Sequence, residues 1–533
     1  MQKDPIIENF ICKCSWKEFS ITQRDAEFYI KIAPKFGDYI AEIPLPRLCP
    51  EERMRRICAF RNQRKLYRRE CNATQRQIIS MYRPNNWYVI YDQKIRRWDS
   101  RDWVEYGRKF DFTKTFMEQF DELMKVVPRM NLINDYRLQT NSEYINMSGA
   151  AKDCYLIAES DSCENCSYST IIWNCKDCFD CWFIDQSSAC YECFYANGCS
   201  HCKYSNKIEN SNNLLICEEI KWSQYCFMCF WLKNQSYCIL NKQYSKPEYD
   251  AIIKKYLDTY TIDQLKSYYS ARKEEHGYMI DGWWIWNENV VWKFNTYSKD
   301  SENLTFCSNV RDCKNMLEVR DASDCYDYVS RWENSSQIYQ AHNLWRNCHK
   351  VLFSEFCRWE CNNILYSDLC VLWNTNLFWC VGLRNKSYCI FNKQYTKQEY
   401  ELLVPKIIEH MKETWERGEF FDPSLSPFGY NETVAQEYYP LSQKESQKLW
   451  YKWSDYKSSV PKSSNIIQWS ELVSSIKEVD DAILQTAIVC EITGKLFRIQ
   501  SQELAFYRNH GIPLPRKHPD QRHLDRLRIR NQE

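Results

Sequence analysis

Along the middle of the chain the small apolar positions keep step in threes. Cysteines stand at 154, 163, 166, 175, 178, 181, 190, 193, 199, 202, 217, 226, 229 and 238, and every interval between them is a multiple of three. A helix would repeat at 3.6 residues and a plain strand at 2.0. The pairs 154/175, 178/199, 181/202 and 217/238 each lie 21 apart. This predicts a β-solenoid whose coil of roughly twenty-one residues stacks equivalent side chains, with Asn and Asp taking the left-handed corners that glycine usually fills. A second set, Cys307 to Cys389, loses phase after Cys325 but keeps a nine-residue step at 348/357, 361/370 and 380/389.

Helical patterning is confined to shorter segments. Thr115-x-x-Glu118 is a capping box, and Phe116, Phe120, Leu123, Met124 and Val127 share a face before Pro128. This predicts one helix bracing the first module. Asn234–Tyr249 repeats as Asn385–Tyr400, each copy running into a capping box (Ser245/Glu248, Thr396/Glu399) and an amphipathic helix, the second carrying Pro405. The two ends also match: Pro44-Leu-Pro-Arg with Arg61-Asn62 answers to Pro513-Leu-Pro-Arg with Arg530-Asn531, and Cys12, Phe19 and Phe28 to Cys490, Phe497 and Phe506. The Trp-rich stretch Gly282–Trp292 reads as strand packing at a junction, and 422–465 as extended linker.

The fold class expected is therefore mainly β, two β-solenoid-like modules flanked by ribbon-like α+β terminal domains. The boundaries are a degenerate zinc-ribbon-like domain at 1–112, a bracing helix and linker at 113–145, solenoid modules with closing helices at 146–275 and 276–415, a linker at 416–480 and a ribbon-like domain at 481–533.

Composition narrows the function classes. The 533 residues carry 71 Lys+Arg against 70 Asp+Glu, so the chain is no polycation. Only 11 glycines are present, and none forms G-x-G-x-x-G or a P-loop; G-x-S-x-G and H-E-x-x-H are absent. No signal peptide or long apolar run is present, so a cytoplasmic chain without membrane attachment is expected. There the 29 cysteines would be reduced, and an odd total cannot pair completely.

Three readings of the thiols stand side by side. Reduced Cys is a small buried hydrophobe. The C-x-x-C spacings through Cys163, Cys166, Cys175, Cys178, Cys190, Cys193, Cys199 and Cys202 suit a thiophilic metal, zinc first. Redox chemistry is the third reading. At the amino end Cys12, Cys14 and Cys49 follow a zinc-ribbon pattern, with Glu52 where a fourth thiolate would stand. A further corner keeps Cys71 with no cysteine in Val89–Asp99, and the carboxy end keeps Cys490 and His518.

These ends, with Ala59–Cys71, Ile78–Tyr82, Tyr106–Phe112, Leu383–Tyr395, Ser426–Tyr438 and Phe497–Asn531, resemble a family of cysteine-rich, zinc-ribbon-bearing hypothetical proteins of candidate-phyla-radiation bacteria. The resemblance implies ribbons but no activity, and the sequence departs from it at Glu52, Asp92–Trp98, Thr493 and His518.

Arg53, Arg56, Arg61, Arg64, Lys65, Arg68 and Arg69 form a dense basic run among aromatics, the composition that holds single-stranded nucleic acid. Its blander counterpart is a solvated face. With no acid/base or nucleophile cluster, the function expected is a non-catalytic scaffold or binding protein with a protein partner. Nucleic-acid binding is the first alternative and a zinc-binding or thiol-redox protein the second.

Overall fold

The computed structural model describes residues 4–98, 102–275, 361–370, 372–418, 420–457, 463 and 465–531, with the backbone of seven short strands between 288 and 358. Among these are many strands, mostly in parallel sheets, and eleven α-helices. The chain divides into two compact units that interleave its segments: residues 1–131 with 281–455, and 132–280 with 456–533. Each unit thus joins one end of the chain to a cysteine-rich module distant in sequence.

In the second unit the backbone returns to the same place every twelve residues. Four ladders run through it with that offset: Tyr155↔Ser167↔Phe179↔Tyr191, Ala158↔Thr170↔Trp182↔Phe194, Asp161↔Trp173↔Asp185↔Asn197 and Glu164↔Lys176↔Ser188↔Ser200. A coil is a quadrilateral with three residues per side. In each triplet the first residue points inward, the second joins the ladder and the third turns the corner. From Asp153 to Leu240 every third residue, Gly198 included, has φ between 44° and 64°. The expected coil of twenty-one residues is corrected to twelve. Any multiple of three preserves an inward position, so a spacing of 21 fits a three-residue side without being the coil itself.

The corners explain why so little glycine suffices. Left-handed backbone costs roughly 1–2 kcal/mol per non-glycine residue, yet Tyr168, Ile171 and Phe183 adopt it as readily as Asn165 and Asp177. Each corner N–H donates to the carbonyl thirteen residues back, as Asp177 to Glu164 and Gln186 to Trp173, both at 3.0 Å. The neighbouring coil therefore offsets the strain.

The module in the first unit follows the same plan with uneven coils. Its registers run 288↔299, 302↔314, 314↔326, 326↔339, 343↔356, 361↔374 and 375↔387, which are coils of 11, 12, 12, 13, 13, 13 and 12 residues. Its first thirteen-residue coil begins where the cysteines lose phase. Cys307, Cys313, Cys325 and Cys348 lie outside the described residues, as does the Trp-rich stretch except for the strand Glu288–Val291.

The repeat Asn234–Tyr249/Asn385–Tyr400 is the end of each stack. Ser236–Ile239 turns through Leu240 and Asn241, both at positive φ, into the antiparallel Lys242–Gln243; Ser387–Ile390 does the same through Phe391 and Asn392. Two consecutive positive φ values make the hairpin turn that matches strand twist. The Asn241 amide accepts from Phe230 N (3.0 Å) and donates to Phe230 O (2.9 Å), while Asn392 does so with Val381 (2.7 and 2.9 Å). A side chain thus pairs the last coil where a further coil would. Both capping boxes form, opening Lys246–Thr259 and Lys397–Glu413, the latter containing Pro405.

Two sequence expectations change. The helix Phe116–Val126, capped as expected by Thr115, belongs with the other module: Phe116 and Phe120 lie 3.8 and 4.8 Å from Trp379 between ring centres. Segment 420–455 is packed within the first unit rather than extended. Ser426 Oγ donates to Ala59 O (2.8 Å), Val434 N to Arg61 O (2.9 Å) and Tyr67 Oη to Glu432 (2.6 Å). The clusters of Pro, Ser and Asn there make short turns against the amino-terminal domain.

Candidate functional site: a thiol-lined bore

The inward residue of every triplet enters a narrow bore, and all fourteen cysteines from Cys154 to Cys238 are at most 3% exposed. Cys163, Cys166, Cys175, Cys178, Cys190, Cys193, Cys199 and Cys202, the expected metal ligands, are among them. Each Sγ donates to the carbonyl two residues back, and most donate also to one nine residues on: Cys166 to Glu164 O (3.3 Å) and Cys175 O (3.6 Å), Cys178 to Lys176 O (3.3 Å) and Ser187 O (3.5 Å). A simple hydrophobe could not do this. The carbonyls reached already accept backbone N–H groups of neighbouring coils, Glu164 O from Asp177 N and Cys175 O from Glu164 N (both 3.0 Å), so each thiol adds a second donor there. The inward N–H groups are what the dry interior would leave unpaired, at about 1–3 kcal/mol each.

Serine shows the same requirement. Ser169 Oγ donates to Ser167 O (2.9 Å) and accepts from Cys181 N (3.0 Å); Ser187 accepts from Cys199 N (3.2 Å) and Ser205 from Cys217 N (3.1 Å). These serines were missed as site residues, although their numbers fall on the same multiples of three as the cysteines. A third column, Ile172, Ile184, Ala196, Ile208 and Ile220, supplies the apolar filling.

Burial pushes the thiols of Cys166, Cys178, Cys193 and Cys202 well above their ordinary 9.0 and that of Cys238 up to about 11. Cys190, which takes hydrogen bonds from Cys178, Cys193 and Cys202, is drawn the other way.

The ribbon ends keep their corners without closing a metal site. Cys12, Cys71 and Cys490 each sit at the turn of a hairpin, buried, with backbone N–H groups aimed at sulfur: from Cys49, Ser15 and Cys14 onto Cys12, from Asp92, Ala73 and Thr74 onto Cys71, and from His518, Thr493 and Ile492 onto Cys490. Burial opposes ionisation, and these donors outweigh it, so all three thiols lie below the ordinary value. Cys49 and Cys14 lie in one cluster with Cys12, and the residues of the facing corners have further partners. Cys49 begins the helix Pro50–Cys58, half-buried Cys14 faces Arg56 Nη2 at 3.8 Å, and Glu52 pairs with Arg55. Asp92 caps Lys94 N (2.8 Å) and His518 accepts from Asp520 N (3.1 Å). Among the described residues no three His, Cys, Asp or Glu are gathered to hold a metal ion.

The basic run turns largely inward. Arg53 donates to Leu48 O (2.9 Å), Arg61 to Gln63 (2.9 Å) and Arg69 to Arg83 O (3.1 Å), and all three are buried. Arg56, Arg64 and Lys65 are half-buried and Arg68 is exposed. The sequence does not bring these seven to one surface stripe.

A residue set that sequence reading missed fastens the carboxy-terminal domain to the coils of its unit. Asp180, a corner residue, accepts from Arg522 and from Arg526 Nη1 (2.8 Å). Arg522 also reaches Glu503 (3.1 Å), which accepts from Tyr168 Oη (2.9 Å) and Tyr507 Oη (2.7 Å), while Phe179 stacks on Phe506 at 4.0 Å. The described part of the other module offers one such buried pair, Arg129 with Asp368.

Set beside family models, curated proteins and solved structures, the chain matches none of them.

Proposed function

We propose that the protein is a non-catalytic scaffold, mainly β, in which two β-solenoid modules are each stiffened by an end domain of ribbon-like plan and present their outer ladders to a protein partner. The observation that carries this reading is the use of the inward thiols as hydrogen-bond donors to backbone carbonyls, which gives them a structural task. Maleimide titration of the native chain and elemental analysis test it together. The bore thiols stay unreactive without denaturant, all 29 react in guanidinium, and less than one equivalent of zinc is found. Several equivalents of metal released on thiol modification would overturn the scaffold reading in favour of metal binding. The inward turn of Arg53, Arg61 and Arg69 favours the scaffold over nucleic-acid binding, and salt-sensitive filter retention of single-stranded DNA would reverse that preference.

A further inference from the structure

The two ends of the chain carry one hairpin plan, and the difference between them exposes an edge. In the carboxy-terminal domain, Thr486–Val489 pairs on one side with Leu496–Phe497 and on the other, in parallel, with Asn465–Gln468. Aligning the corner cysteines Cys490 and Cys12 lays Thr486–Val489 on Glu8–Ile11. That strand, Ile6–Ile11, pairs only with Glu18–Thr22 among the described residues. The edge that is filled in one copy has no partner strand over Glu8–Ile11 in the other among the described residues; past it Lys13 N is held by Arg47 O (3.1 Å), and before it the register shifts between Ile6 and Glu8. Its apolar side chains are in water, with Ile6 60%, Ile7 45% and Ile11 62% exposed. An open apolar edge strand is a template for pairing.

We propose that this edge is a self-association strand, to which a second copy of the chain adds its own Ile6–Ile11 antiparallel with Asn9 facing Asn9. A two-fold pair of identical strands must place some residue opposite itself. Centring on Glu8 opposes two carboxylates, which is unfavourable. Centring on Asn9 opposes two amides that can each donate and accept and sets Ile7 against Ile11. The charge pattern selects the second register. This inference does not depend on the scaffold reading, since it concerns only the amino-terminal hairpin.

Sedimentation equilibrium of the full chain, with glutathione disulfide crosslinking, tests it. The wild-type chain is expected to dimerise with concentration, and Ile11→Lys to weaken the dimer at least tenfold without altering the circular dichroism spectrum. Asn9→Cys should yield a covalent dimer that neither the wild type nor Ile7→Cys forms, because only position 9 meets itself. A wild-type chain monomeric at about 100 µM, a dimer indifferent to Ile11→Lys, or an Asn9→Cys chain that fails to crosslink overturns the proposal.

Discussion

The two coil stacks are built from one rule and differ by single residues. In the first, corners recur every three positions without a break from 153 to 240. In the described part of the second they recur at 363, 366, 369 and 372, then at 376, 379, 382 and 385. The step of four marks the extra residue of a thirteen-residue coil, where Asp368 lies beside Val381 and Cys361 beside Asn374. Hydrogen bonds into the bore lengthen in step: Cys370 donates to Cys380 O ten residues on rather than nine, and Ser367 accepts from Cys380 N thirteen residues on rather than twelve. The triplet is therefore the conserved unit of construction within each coil, and coil length is free to vary by one residue provided the insertion stays between corners.

The largest separation between the units should come at high pH. Unfolded thiols ionise near 9.0, whereas Cys166, Cys178, Cys193, Cys202, Cys226, Cys229 and Cys238 are held protonated above that. Above pH 9 the unfolded chain sheds protons that the folded one keeps. Stability present below that pH is lost as it rises, by about 1.4 kcal/mol per pH unit for each such thiol. Among the described residues the second unit holds more of them, the other stack contributing Cys380 and Cys389. Hydrogen exchange from pH 8 to 10 should show residues 154–238 losing protection first; simultaneous loss in 363–392 would remove the distinction.

Next in size are the buried acids. Asp180 has both oxygens bonded, to Arg522 and Arg526, whereas among the described residues Asp368 Oδ1 has no hydrogen-bond partner and Oδ2 alone meets Arg129. Removing one partner of a buried pair costs roughly 3–5 kcal/mol. Asp180→Asn should fall at the upper end, because it takes a carboxylate from two guanidinium groups at once, and Asp368→Asn below it. Urea denaturation monitored unit by unit decides the order, and equal losses would mean that the second arginine adds nothing.

How much of this was legible follows from what the triplet does to sequence. The cysteine spacing pointed to stacked strands, because an inward position falls every three residues and most of these positions hold a small side chain able to hydrogen-bond. It could not give the coil length, since 9, 12 and 21 are all multiples of three; only pairing such as Thr170 with Trp182 fixes that. The terminal hairpins were visible as a repeat at Asn234 and Asn385, but the capping task of Asn241 and Asn392 was hidden, because a turn asparagine reads the same whether or not its amide closes a coil. Arg53, Arg61 and Arg69 read as surface charge since sequence cannot tell a guanidinium bonded to buried carbonyls from one in water. Asp180 and Arg522 lie 342 residues apart, beyond any local pattern.

The smallest effect is also the most direct test of why the regular stack tolerates side chains at its corners. Gln186 is exposed, has φ 47° and keeps its N–H bonded to Trp173 O at 3.0 Å. Glycine there removes the left-handed penalty of roughly 1–2 kcal/mol but adds unfolded-state freedom worth about 0.4–1 kcal/mol. Gln186→Gly should therefore stabilise the second unit by about 0.5–1 kcal/mol, and Asn174→Gly, starting from a residue that already accepts this conformation, should change little. Gly198→Ala runs the other way, because φ is 64° and a Cβ would stand 2.5 Å from Asn210 Oδ1. Urea midpoints of the three variants give the ranking. If Gln186→Gly destabilised the unit, the corners would be held by their side chains, and the coil-to-coil bonding of the corner N–H groups would not be what offsets their strain.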